Sequence, residues 1–451
     1  EQVDNACANA KNAFKNWEKT SLDTRKKYLL NLIDVIKNNS ERIIQTIISD
    51  VEKPYCEAET EVIESSDILE YYCLEKYEGI DLPVEIAINN EIWSHKRAYG
   101  LYHSCGVYAV IKPWNYPFEL PIWAIAPLLL AGNTIVFKPS EYSTATGNLL
   151  GELINDAGLP EGVFNVINGD GSVGEYLLKN DDIIGISFTG SSLVGNEILN
   201  KPQNIRRKLS IETGGSDFAI VLNDEIEHIT LPGLLWGGFS NAGQVCVAIE
   251  KVLISDKIYD DFVLKLVNET KKLNLQVEIS PIISQKQYAH AQTIINDVIE
   301  HGGKILFGEM EYLNSLPQKG NYMVPTIIEC KDLEYLSKIE EIFAPVMFVA
   351  PFNNEKDAIE TVNSSRYGLG CSIWTSDYEQ HSNLIKEFDV GMIWINEVNL
   401  PLPQVPWQGI KDSGLGFNLS QRAVYDAMNF KAVHIDEDNK ARSWWFPYSQ
   451  D

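Results

Sequence analysis

One of the seven cysteines stands in a context that suits nucleophilic chemistry. Cys246 follows a Gly-Gln turn and precedes an apolar stretch, which places it at the edge of a predicted strand. The thiolate is a strong nucleophile, whereas most free cysteines are buried and inert. A cysteine peptidase would need a histidine partner, and no histidine context in the sequence indicates one. The sequence therefore favours Cys246 over the other six as the candidate nucleophile.

Two polar residues at predicted strand ends could assist such a nucleophile. Glu212 ends an apolar strand, where a carboxylate is costly unless it is solvated or used, so it is a candidate general base. Asn115 lies between Pro113 and Pro117, and its side-chain amide could donate a hydrogen bond into a site above the sheet. A plain turn explains Asn115 equally well, because Asn and Pro are common turn residues.

Alternating strands and helices position these residues. Apolar Val- and Ile-rich strands are predicted at 107–111, 134–137, 163–167, 183–188 and 208–211, with helices between them. Such a series predicts a parallel sheet covered on both faces, which is the doubly wound α/β architecture. Ligands of these sheets bind beyond the carboxyl ends of the strands, so the residues that follow each strand matter most.

Several residues after these strands suit a dinucleotide. Glu141 could accept the ribose hydroxyls of an adenine nucleotide, with Lys138 as an added donor, although a solvated loop charge is an equal alternative. Gly190 and Ser191 precede a helix and offer backbone N–H groups to a pyrophosphate, which we favour over a plain helix cap. The GxGxxG match at 169–174, which includes Gly171, follows the third strand rather than the first. It either lines the adenine end of the groove or forms a tight turn.

The rest of the chain predicts a second α/β unit and a smaller arm. We predict a dinucleotide-binding domain at 1–81 and 105–214, a catalytic domain at 215–430, and an oligomerisation arm at 82–104 and 431–451. The exposed strand edges of the arm need a partner, so we expect a homodimer or homotetramer.

The composition excludes several classes of function. Lys and Arg total 37 against 63 Asp and Glu, a net charge of −26, which argues against nucleic-acid and anionic-membrane partners. An odd number of scattered cysteines without a CxxC pair argues against disulfides and a zinc ribbon and favours a reducing compartment, so we predict a cytoplasmic protein. The seven histidines contain no HExxH, and we predict no metal site. No apolar run is long enough to span a membrane.

Taken together, the segments resemble the aldehyde dehydrogenase superfamily over essentially the whole chain. The matching segments are PWNYPF at 113–118, FKPSE at 137–141, FTGSSLVG at 188–195, IETGG at 211–215, NAGQVC at 241–246, EEIFAPV at 340–346 and SGLG at 413–416. Each match is modest alone, but seven in the family's order leave little room for chance. The GGSD variant at 214–217 is similar to bacterial succinate-semialdehyde dehydrogenase-like members.

The resemblance implies roles for individual residues. Cys246 matches the nucleophile that forms a thiohemiacetal and then a thioester, Glu212 the base that activates water, and Asn115 the oxyanion donor. The cofactor would be NAD, with NADP as an alternative, because Glu141 would repel a 2′-phosphate. The matching cofactor positions are Trp114, Lys138, Ser140, Glu141, Gly190, Ser191, Thr213, Glu341 and Phe343.

The resemblance also outlines a substrate tunnel for a small-molecule aldehyde. Its lining would come from Phe118, Leu120, Trp123, Phe239, Ser240, Val245 and Trp407, which are mainly apolar and aromatic. No arginine stands beside Phe239 to hold the far carboxylate of a dicarboxylic semialdehyde. An apolar or aromatic aldehyde therefore suits the tunnel at least as well as succinate semialdehyde.

The chain departs from the family pattern at several positions. Ser216 replaces a lysine, Ala344 a glycine, Trp407 the phenylalanine of PFGG, and Phe417-Asn418 an Arg-Glu pair. We expect these departures to surround the substrate entrance and to leave the nucleophile, the base and the oxyanion donor untouched. Three alternatives stay open: a non-catalytic protein on the same scaffold, a dehydrogenase that transfers the acyl group to coenzyme A, and simple ester or thioester hydrolysis.

Overall fold

The computed structural model describes residues 1–89, 94–275, 277–308, 320–442 and 444–446. Parts of the predicted arm, residues 90–93, 443 and 447–451, lie outside the described residues. The helices are α1 Gln2–Trp17, α2 Leu22–Asn38, α3 Ser40–Val51, α4 Tyr55–Leu74, α5 Glu119–Leu130, α6 Thr144–Asp156, α7 Gly171–Lys179, α8 Ser192–Leu199, α9 Glu227–Phe239, α10 Tyr259–Thr270, α11 Gln285–Glu300, α12 Leu333–Lys338, α13 Glu355–Ser364, α14 Tyr378–His381 and α15 Ser420–Asp426.

The strands contribute to four sheets. They are β1 Val84–Ile86, β2 Lys96–Ser104, β3 Val107–Ile111, β4 Thr134–Lys138, β5 Phe164–Val166, β6 Ile183–Thr189, β7 Lys208–Glu212, β8 Asp217–Val221, β9 Ile249–Ser255, β10 Lys304–Phe307, β11 Thr326–Glu329, β12 Val346–Phe352, β13 Tyr367–Gly368, β14 Gly370–Trp374, β15 Met392–Ile395, β16 Ile410–Lys411, β17 Gly414–Leu415 and β18 Met428–Asp436.

The first sheet has six strands in the order β17-β7-β6-β3-β4-β5. Strands β3 to β7 are parallel to one another, as the sequence predicted, and β17 pairs antiparallel with β7. Most of their Val and Ile side chains are buried because helices cover both faces, whereas Ile184 in β6 is exposed. The carboxyl ends of β3, β6 and β7 are neighbours, which brings Lys112, Thr189 and Glu212 to one edge of the sheet.

The second sheet has seven strands in the order β10-β11-β12-β9-β8-β14-β15, all parallel except β10. The α/β fold that the sequence predicted is confirmed. The boundary that we predicted at residue 430 differs from the structure, because β17 pairs with the first sheet. Helix α15 follows it, and Leu419 and Val424 are buried in the core that α2, α4 and α5 share.

A third sheet joins β1, β2 and β18. Strand β18 pairs antiparallel with the whole of β2, from Met428 opposite Ser104 to Asp436 opposite Lys96. The predicted pairing of the arm is therefore present, although β18 begins three residues before the predicted limit. Across the described residues, no helix combines the length and the apolar character that crossing a membrane requires.

Candidate active site

The loop that carries Cys246 is held in an unusual backbone conformation. Asn241 and Ala242 adopt left-handed φ angles of 48° and 55°, a conformation that costs free energy for residues other than glycine. The side chain of Glu57 on α4 accepts the backbone N–H of Asn241 at 3.0 Å. Gln244 donates to the carbonyl oxygens of Asn241 and Pro281. These contacts from three parts of the chain fix the loop that ends at the cysteine.

Only glycine fits at position 243 of this loop. Its φ is 68°, and a Cβ atom at this position would come within 2.3 Å of the carbonyl oxygen of Ala344. A side chain here would therefore push the loop away from the segment that follows α12. The close approach aligns the backbone before Cys246.

Cys246 and Glu212 face each other at the end of the first sheet. The Sγ atom of Cys246 lies 3.5 Å from Oε1 of Glu212, and Cys246 is partly exposed whereas Glu212 is buried. Burial raises the pKa of the Cys246 thiol well above its usual value, and the carboxylates of Glu212, Asp217 and Glu341 act in the same direction. These surroundings therefore favour the thiol form of Cys246 over the thiolate.

Two neutral donors bind the carboxylate of Glu212. The indole Nε1 of Trp407 donates to Oε1 at 3.0 Å, and the Nδ2 of Asn418 donates to Oε2 at 2.9 Å. Our expectation that the departures from the family pattern leave the base untouched was wrong for these two residues. Both stand in loops far from Glu212 in sequence, and only the pairing of β17 with β7 brings them alongside it.

Burial and a nearby lysine shift the pKa of Glu212 in opposite directions. Burial raises the pKa of Glu212, while Lys112, Trp407, Cys246 and Asn418 act to lower it. Lys112 is itself buried, donates to Oγ1 of Thr189 at 2.8 Å, and has its pKa lowered by burial to about 8. Our sequence reasoning did not single out Lys112, which could have been noticed as a charged residue directly after an apolar strand.

Asn115 lies close to this pair, in the turn after β3. Its Nδ2 donates to the carbonyl oxygen of Gln244 at 3.0 Å, which uses one of the two amide hydrogens. The second hydrogen of this amide could serve an oxyanion beside Cys246. The turn is tied to the cysteine loop by a further bond, from Nδ2 of Asn241 to the carbonyl oxygen of Asn115.

A fully buried ion pair contacts the backbone of the Asn115 turn. The Nζ of Lys53 lies 3.0 Å from Oε1 of Glu61 and 2.7 Å from the carbonyl oxygen of Asn115. The other oxygen of Glu61 accepts the backbone N–H groups of Phe118 and Glu119, where α5 begins. Each polar atom of the pair thus has partners, as burial of a charge requires.

A cavity of about 260 Å³ lies beside Cys246. Its apolar wall comes from Tyr116, Leu120, Trp123, Trp236, Val245, Val247 and Trp407. Of the predicted tunnel residues, Leu120, Trp123, Ser240, Val245 and Trp407 line it. Phe118 and Phe239 do not line it, because the Phe118 ring packs into the core under α5 and the Phe239 ring into the core of the second sheet.

Another part of the cavity wall is acidic, in contrast to the mainly apolar lining that we expected. It carries Glu57, Glu61 and Glu64 of α4, with Glu119 at the start of α5. The described residues that line the cavity include no lysine, arginine or histidine. The spacing of four and three residues on α4 places the three side chains on one helix face. Our reading of α4 missed them, since a carboxylate-rich helix face usually faces solvent.

Two of these carboxyl groups are in contact. Glu64 hydrogen-bonds to Glu119, and burial raises the pKa of both groups. The nearby carboxylate of Glu64 acts in the same direction as burial on the pKa of Glu119. Trp123 fixes the orientation of Glu119 through a hydrogen bond of 2.9 Å from its Nε1 to Oε1.

The predicted adenosine-side residues lie together at the carboxyl end of β4. Lys138 is buried, and its Nζ donates to the carbonyl oxygen of Pro139. Ser140 caps the short 3₁₀ helix that begins at Glu141, whose carboxylate is exposed. Gly171 begins α7, the helix that connects β5 to β6. A Cβ atom at Gly171 would meet no other atom within 4 Å. These positions lie at the carboxyl edge of the first sheet, where the exposed carboxylate of Glu141 suits the hydroxyl groups of an adenine ribose.

The start of α8 suits a phosphate group. Ser191 is the N-cap of α8, and Gly190 precedes it at the end of β6. The Oγ atom of Ser192 is buried and has no hydrogen-bond partner among the described residues. A buried hydroxyl without a partner at a helix N-terminus is an observation that fits an anionic ligand, since the helix dipole and free N–H groups favour negative charge there.

The remaining cofactor candidates lie between the two sheets. The Trp114 and Phe343 rings are in edge contact with centroids 5.8 Å apart. Glu341 is buried, and its Oε1 accepts the backbone N–H of Gly215 at 3.1 Å. The backbone N–H of Thr213 donates to the carbonyl oxygen of Ser413. In this structure, therefore, Glu341 and Thr213 already bind protein groups.

Comparisons with known proteins agree with this geometry. The sequence model described as "Aldehyde dehydrogenase family" matches residues 1–433. The chain is 31% identical to a chloroplastic aminoaldehyde dehydrogenase of Arabidopsis thaliana, over 97% of this chain and 88% of that protein. It is also 31% identical to betaine aldehyde dehydrogenase of Bacillus subtilis, over 98% and 91%. The crystal structure of Staphylococcus aureus betaine aldehyde dehydrogenase in complex with NAD⁺ superposes with a TM-score of 0.90 at 27% identity, covering 98% of this chain and 89% of that one.

Proposed function

The chain belongs to the aldehyde dehydrogenase family, and from that premise we propose that it oxidises an aldehyde to a carboxylic acid through a thioester on Cys246. The observation that supports this most directly is the contact between Cys246 and Glu212 at the end of a cavity. A nucleophile and a base within reach of each other and of one enclosed space are what covalent acyl chemistry requires.

The first steps use Cys246 and the groups around it. Glu212 is the acceptor within reach of the thiol proton, and the resulting thiolate attacks the aldehyde carbon to give a thiohemiacetal. The free amide hydrogen of Asn115 and the backbone N–H of Cys246 would hold the oxyanion, and each such donor lowers the barrier by about 3 kcal/mol. When bound, the oxidised nicotinamide supplies the hydride acceptor that turns this adduct into a thioester.

The last step is hydrolysis of the thioester. Glu212 first passes the thiol proton to solvent and then takes a proton from water. The water oxygen bonds to the carbonyl carbon, and the carbon–sulfur bond breaks to release the carboxylic acid and the Cys246 thiolate. Glu212 then returns its proton to the thiolate. A buried base beside the thioester favours water over coenzyme A as the acyl acceptor. Lys138, Ser140, Glu141, Gly190 and Ser191 would hold the dinucleotide. The relative of known structure binds NAD⁺, which supports NAD for this chain, with NADP as the alternative.

The cavity supports a cationic aldehyde as the substrate. Lys53 pairs with Glu61 and also acts to lower the pKa of Glu57, Glu64 and Glu119, but the described lining contains four carboxyl groups and no basic side chain. A quaternary or primary ammonium group would be attracted by these carboxylates and by the faces of Trp123 and Trp236. The relatives named for aminoaldehydes and betaine aldehyde support this class. The same lining disfavours succinate semialdehyde, whose far carboxylate would have no cation to bind.

A neutral apolar or aromatic aldehyde is the second candidate. Leu120, Val245 and Val247 are apolar, and the raised pKa values of Glu64 and Glu119 favour their neutral forms. A neutral substrate would be bound by the apolar side chains alone, and the ionised carboxylates of the lining would not stabilise it.

The test compares two aldehydes that differ in one atom. Betaine aldehyde and 3,3-dimethylbutanal have the same shape, with a quaternary nitrogen in one and a carbon in the other. We expect kcat/KM to favour the cationic aldehyde by about tenfold or more with NAD or NADP. Succinate semialdehyde and benzaldehyde complete the panel, and Cys246→Ala is the blank.

The outcomes separate the parts of the proposal. Equal rates for the two matched aldehydes would refute the cationic substrate and leave the reaction intact. Dependence on coenzyme A would refute hydrolysis. A folded protein that reduces neither cofactor with any aldehyde would refute the reaction itself and favour a non-catalytic protein.

Assembly and location stay predictions. The exposed aromatic side chains Trp444, Trp445 and Phe446 lie near the end of the arm, which supports a homodimer or homotetramer. A monodisperse monomer in light scattering would contradict it. We retain a cytoplasmic location from the cysteine pattern.

A further inference from the structure

Trp407 and Asn418 form one structural unit. Their backbones make an isolated antiparallel bridge, with the N–H of each residue donating to the carbonyl oxygen of the other at 2.8 and 2.9 Å. Both side chains then point at the same carboxylate, since the indole binds Oε1 of Glu212 and the amide binds Oε2. We refer to these two residues as the clamp.

We propose that the clamp presets the orientation of Glu212 for thioester hydrolysis, so that Trp407 and Asn418 are positioning residues of the reaction. The inference rests on the proposed role of Glu212 as the base. A carboxylate with donors on both oxygens cannot rotate without breaking a hydrogen bond, and each charge-assisted bond is stronger than a neutral one. Oε1 is therefore kept on the side of Cys246.

The neighbours of the clamp hold it in place. The Trp407 ring packs edge-on against Trp123 and Trp394, with centroids 5.0 and 5.8 Å away. The Oδ1 of Asn418 lies 3.3 Å from the hydroxyl of Ser210 on β7. Packing fixes the indole, and β7 itself fixes the amide, so the carboxylate meets two rigid donors rather than mobile ones.

The clamp makes two opposing contributions to catalysis. Its N–H groups stabilise the charged form of Glu212 and so lower its basicity, but they hold the base where a water molecule beside the thioester can reach it. The other charged or titratable groups that face Glu212 are Lys112 and Cys246. Changing the clamp leaves both in place, so a changed pKa of Glu212 would report the lost donor.

Trp407→Phe removes the indole N–H and keeps an aromatic ring against Trp123. We expect the acyl-enzyme, quenched in acid and weighed by mass spectrometry, to decay about tenfold more slowly. The rate at which the acyl-enzyme forms should fall as well, because Oε1 of Glu212 also accepts the thiol proton, so the pH profile of deacylation carries the test. The acid limb of the pH profile of deacylation should move to higher pH, since loss of a donor raises the pKa of Glu212.

A matched control and a second variant complete the experiment. Trp394→Phe also removes an indole N–H beside Trp407, but that group donates to the carbonyl oxygen of Leu400, so the acid limb should stay where it is in the wild type. Asn418→Ser removes the amide on Oε2 and keeps the backbone bridge. It should slow deacylation in the same way, and it tests the clamp if Trp407→Phe does not fold.

The proposed role of the clamp would be refuted if Trp407→Phe and Asn418→Ser both deacylated at the wild-type rate and the acid limb of the pH profile stayed at the wild-type pH in both. Failure of the underlying base role looks different. In that case Glu212→Gln would itself hydrolyse the acyl-enzyme at the wild-type rate, whereas a stalled acyl-enzyme in Glu212→Gln with unaffected clamp variants refutes only the clamp.

Discussion

The Sγ of Cys246 and the indole Nε1 of Trp407 contact the same oxygen of Glu212, at 3.5 and 3.0 Å. This oxygen is therefore shared between the nucleophile and a fixed donor. The arrangement keeps a negative charge beside the thiol, which opposes its ionisation, while providing an acceptor for its proton. The thiol form of Cys246 is therefore favoured, and Glu212 lies within reach to accept its proton.

The first prediction concerns the reactivity of Cys246 in the absence of cofactor. Because burial and nearby carboxylates raise its pKa, we expect alkylation by iodoacetamide to be slower than for free cysteine at pH 7 and to accelerate beyond pH 9. Glu212→Gln removes one negative neighbour, lowers the pKa of the thiol, and should speed alkylation at pH 8. Peptide mass spectrometry separates Cys246 from the exposed Cys56. A rate that is already constant below pH 7 would contradict the raised pKa.

The second prediction concerns the buried pair under the Asn115 turn. Lys53→Met leaves the Glu61 carboxylate buried without its cation, and we expect a loss of about 3–5 kcal/mol in the free energy of unfolding by urea. The double variant Lys53→Met with Glu61→Gln removes both charges and should recover much of that loss. Equal stability of the single and double variants would show that the charge of Glu61 is solvated in some other way.

The third prediction concerns the choice of cofactor. Glu141 is exposed at the groove edge beside Lys138, where its charge would oppose a 2′-phosphate. Glu141→Ala should lower the ratio of kcat/KM for NAD to that for NADP. Glu161→Ala removes an exposed carboxylate at the amino end of β5, the opposite edge of the same sheet, and should leave the ratio unchanged. An unchanged ratio in Glu141→Ala would place the discrimination elsewhere.

The strands of the first sheet could be predicted from the sequence because their Val and Ile runs are nearly continuous. Strand β3 occupies the predicted residues 107–111. Strands β4, β6 and β7 each extend one residue beyond the prediction, and β5 is one residue shorter at each end. The residues after those strands could be proposed as site candidates for the same reason, since a parallel sheet brings its carboxyl ends to one edge.

The acidic wall and the clamp could not be predicted in this way. Glu57, Glu61 and Glu64 have the spacing of a helix face, but the spacing does not reveal whether that face meets water or a cavity. Trp407 and Asn418 lie in irregular segments that are joined by a single bridge, which leaves no periodic pattern in the sequence. Their contact with Glu212 depends on tertiary structure alone.

The return of the chain from the second sheet to the first has a consequence for biosynthesis. Lys96 and Asp436 are bonded across 340 residues of sequence, and β17, α15 and the clamp are likewise supplied by late segments. Contacts of such long range form slowly, because much chain entropy is lost before they are made. A nascent chain that has not yet released these segments from the ribosome would hold Cys246 and Glu212 without the groups that orient them. The oriented site would therefore form only after the segment up to residue 436 has been synthesised.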